Sequence, residues 1–390
     1  MPDVGTAGAD ATDCPGGNGT ERSSAVKKIG ILAVLAVCAC GLSLSSAKAA
    51  AQDDLEQLIR QYEDYQERFA AIERTEDISE QGFYAIEDQS FPVLLESFGE
   101  EEVIFLPVMD SLYCRMALLI TDSSGNVLYK TNQLETNNRY TGEMKQPTVD
   151  LAAVSFQDVN RDGQTDIILI TDCVNDVGDY AGKIYKVGDV LFQRDGGFYR
   201  DWRISDKINR FSMNKSVDMI VSYVRDGNST EVLYTATTLD ELQRQGFHVI
   251  QEQNYYRTFE KQGRLQVVPG IMRMADYDIF MIYLVNEQGY IVWSFQPMGD
   301  YDNLYALKGM ACRDLDGDGM KDILVLGRYS YSEAGGVIMI DTRCRIYYQR
   351  TDGFETDTEF EKTYQCTEED TVEGLTQLIR EYWGWTAEND

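Results

Sequence analysis

Two nine-residue stretches carry the chemistry that can be read from this chain. They are Asp158-Val159-Asn160-Arg161-Asp162-Gly163-Gln164-Thr165-Asp166 and Asp314-Leu315-Asp316-Gly317-Asp318-Gly319-Met320-Lys321-Asp322. Each places oxygen-bearing side chains at positions 1, 3, 5 and 9 and a glycine at position 6. Alternate residues of a tight loop can turn their oxygens toward one point, and a hard cation such as Ca²⁺ takes six to eight oxygens. The glycine permits the sharp bend that closes such a loop. Asp/Asn/Gly-rich turns are common between strands, but a solvated turn has no need for three or four carboxylates that repel one another unless a cation sits among them. The second loop has four carboxylates and the first three plus an Asn, which predicts tighter cation binding at the second.

An EF-hand would need a bidentate Glu at position 12 and a helix on each side. Position 12 is Leu169 in one loop and Val325 in the other, inside the apolar runs Ile167–Ile170 and Ile323–Leu326. Runs of this kind favour a strand, so the EF-hand reading fails. The pattern Asp-x-Asp/Asn-x-Asp-Gly-x-x-Asp followed by an apolar strand resembles the calcium loop of FG-GAP/VCBS-type repeats, found in integrin-like β-propellers and in many bacterial surface proteins. The resemblance implies that Asp158, Asn160, Asp162 and Asp166, and likewise Asp314, Asp316, Asp318 and Asp322, are side-chain ligands of Ca²⁺. It also implies that the backbone carbonyls of Gln164 and Met320 complete the two shells.

The elements that must position these loops occur twice. Gln81-Gly-Phe-Tyr-Ala-Ile86 matches Gln245-Gly-Phe-His-Val-Ile250, 164 positions on, and a glycine-tipped hairpin at 117–129 matches 281–293 at the same spacing. The metal loops, and then Gln193–Phe198 and Gln349–Phe354, align at a spacing of 156. A constant spacing broken by one eight-residue gap is the mark of a tandem duplication. The expected fold is mainly β: two tandem β-rich units, 76–228 and 239–390, with short flanking helices. Strands are expected near Phe83–Ile86, Ile184–Gln193 and Val337–Gln349, and closing helices at Ser216–Val224 and Thr371–Trp383. A period near 160 is too long for one propeller blade, so each unit is either a small sandwich-like β-domain or several propeller-like blades. Within residues 50–75, Leu55, Leu58, Ile59, Tyr62, Tyr65, Phe69 and Ile72 form one apolar helical stripe, expected to pack on the adjacent β-unit.

Residues 1–49 read as an export signal or anchor: Lys27-Lys28, an apolar run at 29–44, then Ala47-Lys48-Ala49 as a cleavage pattern. The run is short for a membrane span of about 20 residues, and Val37-Cys-Ala-Cys40 leaves lipidation of Cys40 as an alternative. Either version places the rest outside the cytoplasm, secreted or held at the cell surface, with membrane contact only through this segment. Beyond it the chain keeps the full net charge of −30, which disfavours nucleic acid and anionic lipid as partners. Of the later cysteines, spacing within a unit allows Cys114 with Cys173 and Cys312 with Cys344, leaving Cys366 odd, or free thiols throughout.

Enzyme signatures are sparse. The single histidine, His248, aligns with Tyr84 in the repeated strand and reads as a strand residue. One histidine also makes a Ser/His pair improbable. There is no phosphate loop or nucleophile elbow. The tyrosines around 301–305 and 329–331 lie in loop-like context and are candidates to stack on a glycan or a protein partner. The expected role is a non-enzymatic binding or adhesion module of the bacterial cell surface with structural Ca²⁺ and a protein or glycan ligand. The alternative is a secreted carbohydrate-active hydrolase or lyase using a carboxylate pair.

Overall fold

A computed structural model describes residues 45–137, 148–174, 182–299, 302–332 and 337–385. Of the expected export segment 1–49, residues 1–44 lie outside them, as do Tyr301 and the 138–147 connection. No helix among the described residues is long and apolar enough to cross a membrane. The chain divides into two units, Met1–Gln61 and Tyr62–Asp390. In the first, only the beginning of helix α1 (Ser45–Ala70) is described.

The second unit is mainly β, with four antiparallel sheets among its described residues. Sheet one contains β1 (Phe83–Ala85), β2 (Phe91–Val93), β3 (Val103–Asp110), β4 (Met116–Thr121) and β5 (Val127–Thr131). Its order is β1-β3-β4-β5, with β2 also paired to β3. Sheet two is a meander of β6 (Thr148–Gln157), β7 (Asp166–Val174), β8 (Ile184–Arg194) and β9 (Gly197–Tyr199). Sheet three repeats the order of sheet one with β10 (Phe247–Val249), β11 (Tyr255–Phe259), β12 (Gly263–Met274), β13 (Tyr277–Val285) and β14 (Ile291–Phe295). Sheet four repeats the meander with β15 (Asn303–Arg313), β16 (Asp322–Ser332), β17 (Ile338–Arg350) and β18 (Gly353–Thr356).

The likeness extends to registers and irregularities. Ile167 faces Leu191 and Ile323 faces Tyr347, both pairs displaced by 156. The β6–β7 ladder is bulged at Thr148/Asp150 and Leu151/Ala153, and β15–β16 at Leu304/Ala306 and Leu307/Gly309, again 156 positions on. Bulges re-aim a strand locally, and here they recur on both strands that lead into an acidic loop.

Helices fill the remaining layers. They are α2 (Asp77–Glu80), α3 (Trp202–Arg210), α4 (Val217–Asp226), α5 (Val232–Thr235), α6 (Leu239–Arg244), α7 (Thr358–Thr363) and α8 (Val372–Tyr382). The expected caps form: Ser216 Oγ accepts from Met219 N at 3.2 Å and Thr371 Oγ1 from Gly374 N at 3.1 Å, each stabilising by about 1 kcal/mol. Helices α2, α3, α5, α6 and α7 carry no long apolar stripe and are not among the expected helices.

Successive side chains of a strand point to opposite faces, and the central strands bury both. On β4, Met116, Leu118 and Ile120 face sheet two, while Ala117 and Leu119 meet Tyr65, Phe69 and Ile72 of the α1 end. The C-terminal part of the amphipathic stripe thus packs on its neighbouring sheet, whereas Ile59 is exposed. On β7, Ile167 and Leu169 join the first inter-sheet core, and Ile168 and Ile170 meet Ile208 of α3 and Ile220 of α4. Met219 of α4 turns the other way, toward Met281 and Tyr283 of β13. On β16, Ile323 and Val325 face sheet three, while Leu324 and Leu326 meet Phe360, Leu375 and Ile379 of α7 and α8. The layer order is helix, sheet, sheet, helices, sheet, sheet, helices, with two sandwiches sharing a helical layer. Burial on both faces explains why these strands read as unbroken apolar runs.

Candidate metal centre

Each acidic loop bridges the first two strands of a meander, β6 to β7 and β15 to β16. Positions 4 and 6 take left-handed backbone in both: Arg161 and Gly163 at φ 63° and 86°, Gly317 and Gly319 at 82° and 83°. Two such residues fold each loop back on itself, and of the two loops only the second brings three carboxylates, Asp314, Asp316 and Asp322, within reach of one cation. Arg161 is strained where Gly317 is free, since a Cβ disfavours this region.

The position-1 carboxylate folds the loop over itself. Asp158 accepts from Asp162 N (3.1 Å) and Gly163 N (2.9 Å), and Asp314 from Gly317 N (2.8 Å) and Gly319 N (2.9 Å). The position-5 carboxylate accepts from the position-7 amide, Gln164 N at 2.9 Å and Met320 N at 2.8 Å. The position-9 carboxylate is fully buried in both loops. Asp166 accepts from Val159 N and Gln193 N, each at 3.0 Å. Asp322 accepts from Leu315 N at 2.7 Å and Gln349 N at 2.9 Å.

In the second loop, one ligand atom each from Asp314, Asp316 and Asp322 falls within 4.8 Å of the others. Burial pushes Asp322 up to about 7, with the nearby Asp316 and Asp318 adding to it and the two amide donors opposing it. Asp318 is likewise raised, chiefly by burial and then by Asp316. In the first loop, burial is again the main reason that Asp166 is raised, with Asp162 and Asp158 adding to it. Carboxylates held this close and this dry favour a bound proton or a cation. An all-oxygen donor set selects a hard cation rather than zinc or copper. The residues of the second loop therefore fit a hard divalent cation, which would be held by Asp314, Asp316 and Asp322.

The loops differ in one respect that composition does not show. Arg350 of β17 places Nη1 2.8 Å from Asp316 Oδ2 and 3.2 Å from Asp318 Oδ2. Its counterpart Arg194 is exposed and pairs with Asp195. In the first loop Asn160 Nδ2 instead donates to Asp162 Oδ2 at 2.9 Å. The second loop thus has a cation of its own, which opposes the tighter binding expected from its four carboxylates.

A clamp around each loop escaped the sequence reading. Glu96, in the 3₁₀ turn before β3, accepts from Thr165 N (2.8 Å), Thr165 Oγ1 (2.9 Å) and Gln193 Nε2 (3.1 Å). Gln193 Nε2 also donates to Thr165 O at 2.6 Å, and its Oε1 accepts from Ser97 N at 2.6 Å. Glu260, 164 positions after Glu96, accepts from Lys321 N (2.9 Å) and Gln349 Nε2 (3.2 Å). Gln349 Oε1 accepts from Lys261 N at 3.3 Å. Each clamp ties position 8 of the loop to the facing sheet through a fully buried glutamine. The signal for it was Gln193 and Gln349 leading the last aligned segment, together with the recurrence of Glu96 at Glu260.

The other sequence candidates are placed as follows. His248 is exposed on β10 opposite Ile271, as Tyr84 is on β1. Tyr329 and Tyr331 belong to β16 and Tyr305 to β15, not to loops. Tyr329 is buried in the inter-sheet core, while Tyr305 is 57% exposed. Cys312 and Cys344 face opposite sides of sheet four, one in the inter-sheet core and the other against the helices, so they do not pair.

No protein-family model matches the chain, and no curated protein matches it. Among solved structures it is similar to an exo-inulinase from Aspergillus awamori at 12% identity, over 66% of this chain and 47% of that one, with a TM-score of 0.20. The chain spans about half the length of that enzyme, and a score this low carries no argument about fold or activity.

Proposed function

We propose that this protein is an exported, calcium-stabilised binding or adhesion module of the bacterial cell surface, built from two FG-GAP/VCBS-like units in tandem, and that it is not an enzyme. The observation that carries the reading is that two acidic loops of the same spacing occupy the same place in two sheets of the same register, each gripped by the same Glu–Gln clamp. Loops with hard-oxygen donors and a raised, buried carboxylate hold Ca²⁺ as a staple. With four side chains and a carbonyl committed, such an ion has little room for substrate, so its contribution is to fix the strand junction. The ligand would be a protein or a glycan, met through exposed aromatic rings such as Tyr305, Tyr256 and Tyr290.

The test is calorimetry on chelator-stripped protein. Calcium raises the melting temperature in two titratable steps, one of which is lost in Asp158→Ala and the other in Asp314→Ala. No shift on adding calcium ends the metal reading. A glycan array and a polysaccharide screen address the ligand. Turnover that disappears with one Asp or Glu substitution outside both loops would overturn the non-enzymatic reading.

A further inference from the structure

The end of helix α8 sits on the second acidic loop. Arg380, in its last turn, donates from Nε and Nη2 to the carbonyl of Asp314, each over 3.1 Å. Asp314 is position 1 of the loop, and its carboxylate is held by Gly317 N and Gly319 N. The helix thus fixes its main chain while the loop fixes its side chain. Beyond α8 the chain turns back at Gly384, whose φ of +76° suits glycine. Gly384 N donates to Glu381 O at 2.9 Å and Trp385 N to Arg380 O at 2.7 Å, the paired bonds of a Schellman ending. This turn lays the Trp385 indole over the Arg380 guanidinium, with Cζ 4.3 Å from the ring centre. The same ring would stand 3.8 Å from a Cβ on Gly317, position 4 of the loop.

The first loop is fastened differently. Its position 4 is Arg161, whose side chain reaches Asp226 at the end of α4 at 3.0 Å. Both partners are exposed, and an ion pair in water contributes little. Arg380 and Asp314 are half-buried, and a guanidinium bonded twice to one carbonyl holds it more firmly. An arginine at position 4 of the second loop would have to pass the indole, so Gly317 is what admits Trp385. The two arginines beside the second loop also differ. Arg350 takes carboxylate oxygens of Asp316 and Asp318, which a cation would use. Arg380 takes a main-chain carbonyl outside that donor set.

We infer that Arg380 and Trp385 belong to the second cation site as positioning residues, an inference that rests on the calcium reading above. Arg380 pins the main chain of Asp314, so that its carboxylate meets the ion already in place. Trp385 keeps the guanidinium where it can do so and lies against the loop at Gly317. A donor held in position costs less to bind than one that must first be immobilised. The two neighbouring arginines therefore act with opposite sign: losing Arg350 tightens the site, and losing Arg380 loosens it. The first loop, with Arg161 in the place of Gly317, is indifferent to both.

Calcium is titrated calorimetrically into the chelator-stripped full chain carrying Asp158→Ala, so that only the second loop reports. In that background Arg380→Ala is expected to weaken binding about tenfold, and Arg380→Lys, which keeps the charge and one donor, about threefold. In the converse Asp314→Ala background, Arg380→Ala leaves the affinity of the first loop unchanged, which a general loss of stability would not. Tb³⁺ in place of calcium gives indole-sensitised luminescence at the second loop, and the signal falls in Trp385→Phe while the ion still binds. The inference is overturned if Arg380→Ala binds calcium as tightly as its parent or more tightly, or if Trp385→Phe leaves the luminescence unchanged. A parent that takes up no calcium overturns the calcium reading, and this inference with it. Should Arg380→Ala lose its far-ultraviolet circular dichroism, Arg380→Lys and the terbium signal decide the matter.

Discussion

Gln193 donates its side-chain amide to Glu96 over 3.1 Å, joining β8, the neighbour of the strand that leaves the first acidic loop, to a turn of the facing sheet. The bond and its copy between Gln349 and Glu260 place the loop at a point where two sheets are already fastened. A cation in the loop would therefore lock the sandwich, not merely the turn.

Gln193→Ala removes the partner of the half-buried Ser97 amide and Thr165 carbonyl, while the exposed Glu96 keeps its bonds from Thr165. Water reaches these groups in part, so the expected loss is about 1–2 kcal/mol. Urea unfolding measures it. The same variant should bind calcium more weakly at the first loop alone, because Gln193 N also orients Asp166.

Arg350 competes for the second loop. A guanidinium 2.8 Å from Asp316 must share or surrender that carboxylate when a divalent cation enters. Arg350→Gln in an Asp158→Ala background, where only the second loop reports, should raise calcium affinity about tenfold, equal to about 1.4 kcal/mol. Unchanged or weaker binding by titration calorimetry would show that Arg350 supports the loop rather than opposing its filling.

Asp189 supplies a pH dependence away from both loops. It is 3% exposed, and burial pushes it up to about 6, against the opposing pull of Arg200 at 3.9 Å and the donors Glu135 N and Ser205 Oγ. A carboxyl raised in the fold is more protonated there than in the unfolded chain. Its stabilisation is therefore complete below its ordinary value near 4 and is lost as pH rises through about 6. The amount is at most about 3 kcal/mol. Asp189→Asn should flatten the fall in stability between pH 4 and 6.5 relative to wild type, as read from urea midpoints in calcium-free buffer.

What sequence reasoning could reach depended on how local each signal was. Side chains in the acidic loops answer to neighbours within nine residues, so their spacing was legible. So were the strands that leave them and the helix starts capped by Ser216 and Thr371. The Glu–Gln clamps join residues almost a hundred positions apart, and a glutamine in a strand carries no mark of its partner. Repeat alignment also misled where the units diverge: Asp189 aligns with Arg345, which pairs with Glu361 instead, so a buried acid in one sandwich is a half-buried base in the other. The tyrosines at 329–331 read as loop because Gly327 and the serines resemble turn chemistry. The ladder with β17 carries the strand through them.

Gly353 and Trp293 supply the last test. A Cβ on Gly353 would stand 2.3 Å from Trp293 Cη2, and the residue sits at φ +153°, so an alanine there meets both a ring and a disfavoured backbone. The equivalent pair in the first sandwich is Gly197 and Tyr129. There a Cβ would stand 2.9 Å from the ring, without positive φ. Gly353→Ala should thus destabilise by about 3 kcal/mol and Gly197→Ala by about 1–2. Trp293→Phe, which shortens the ring, should recover part of the first loss. The double variant Gly353→Ala/Trp293→Phe then unfolds at a higher urea concentration than Gly353→Ala alone, and equal midpoints would place the strain in the backbone rather than in the ring contact.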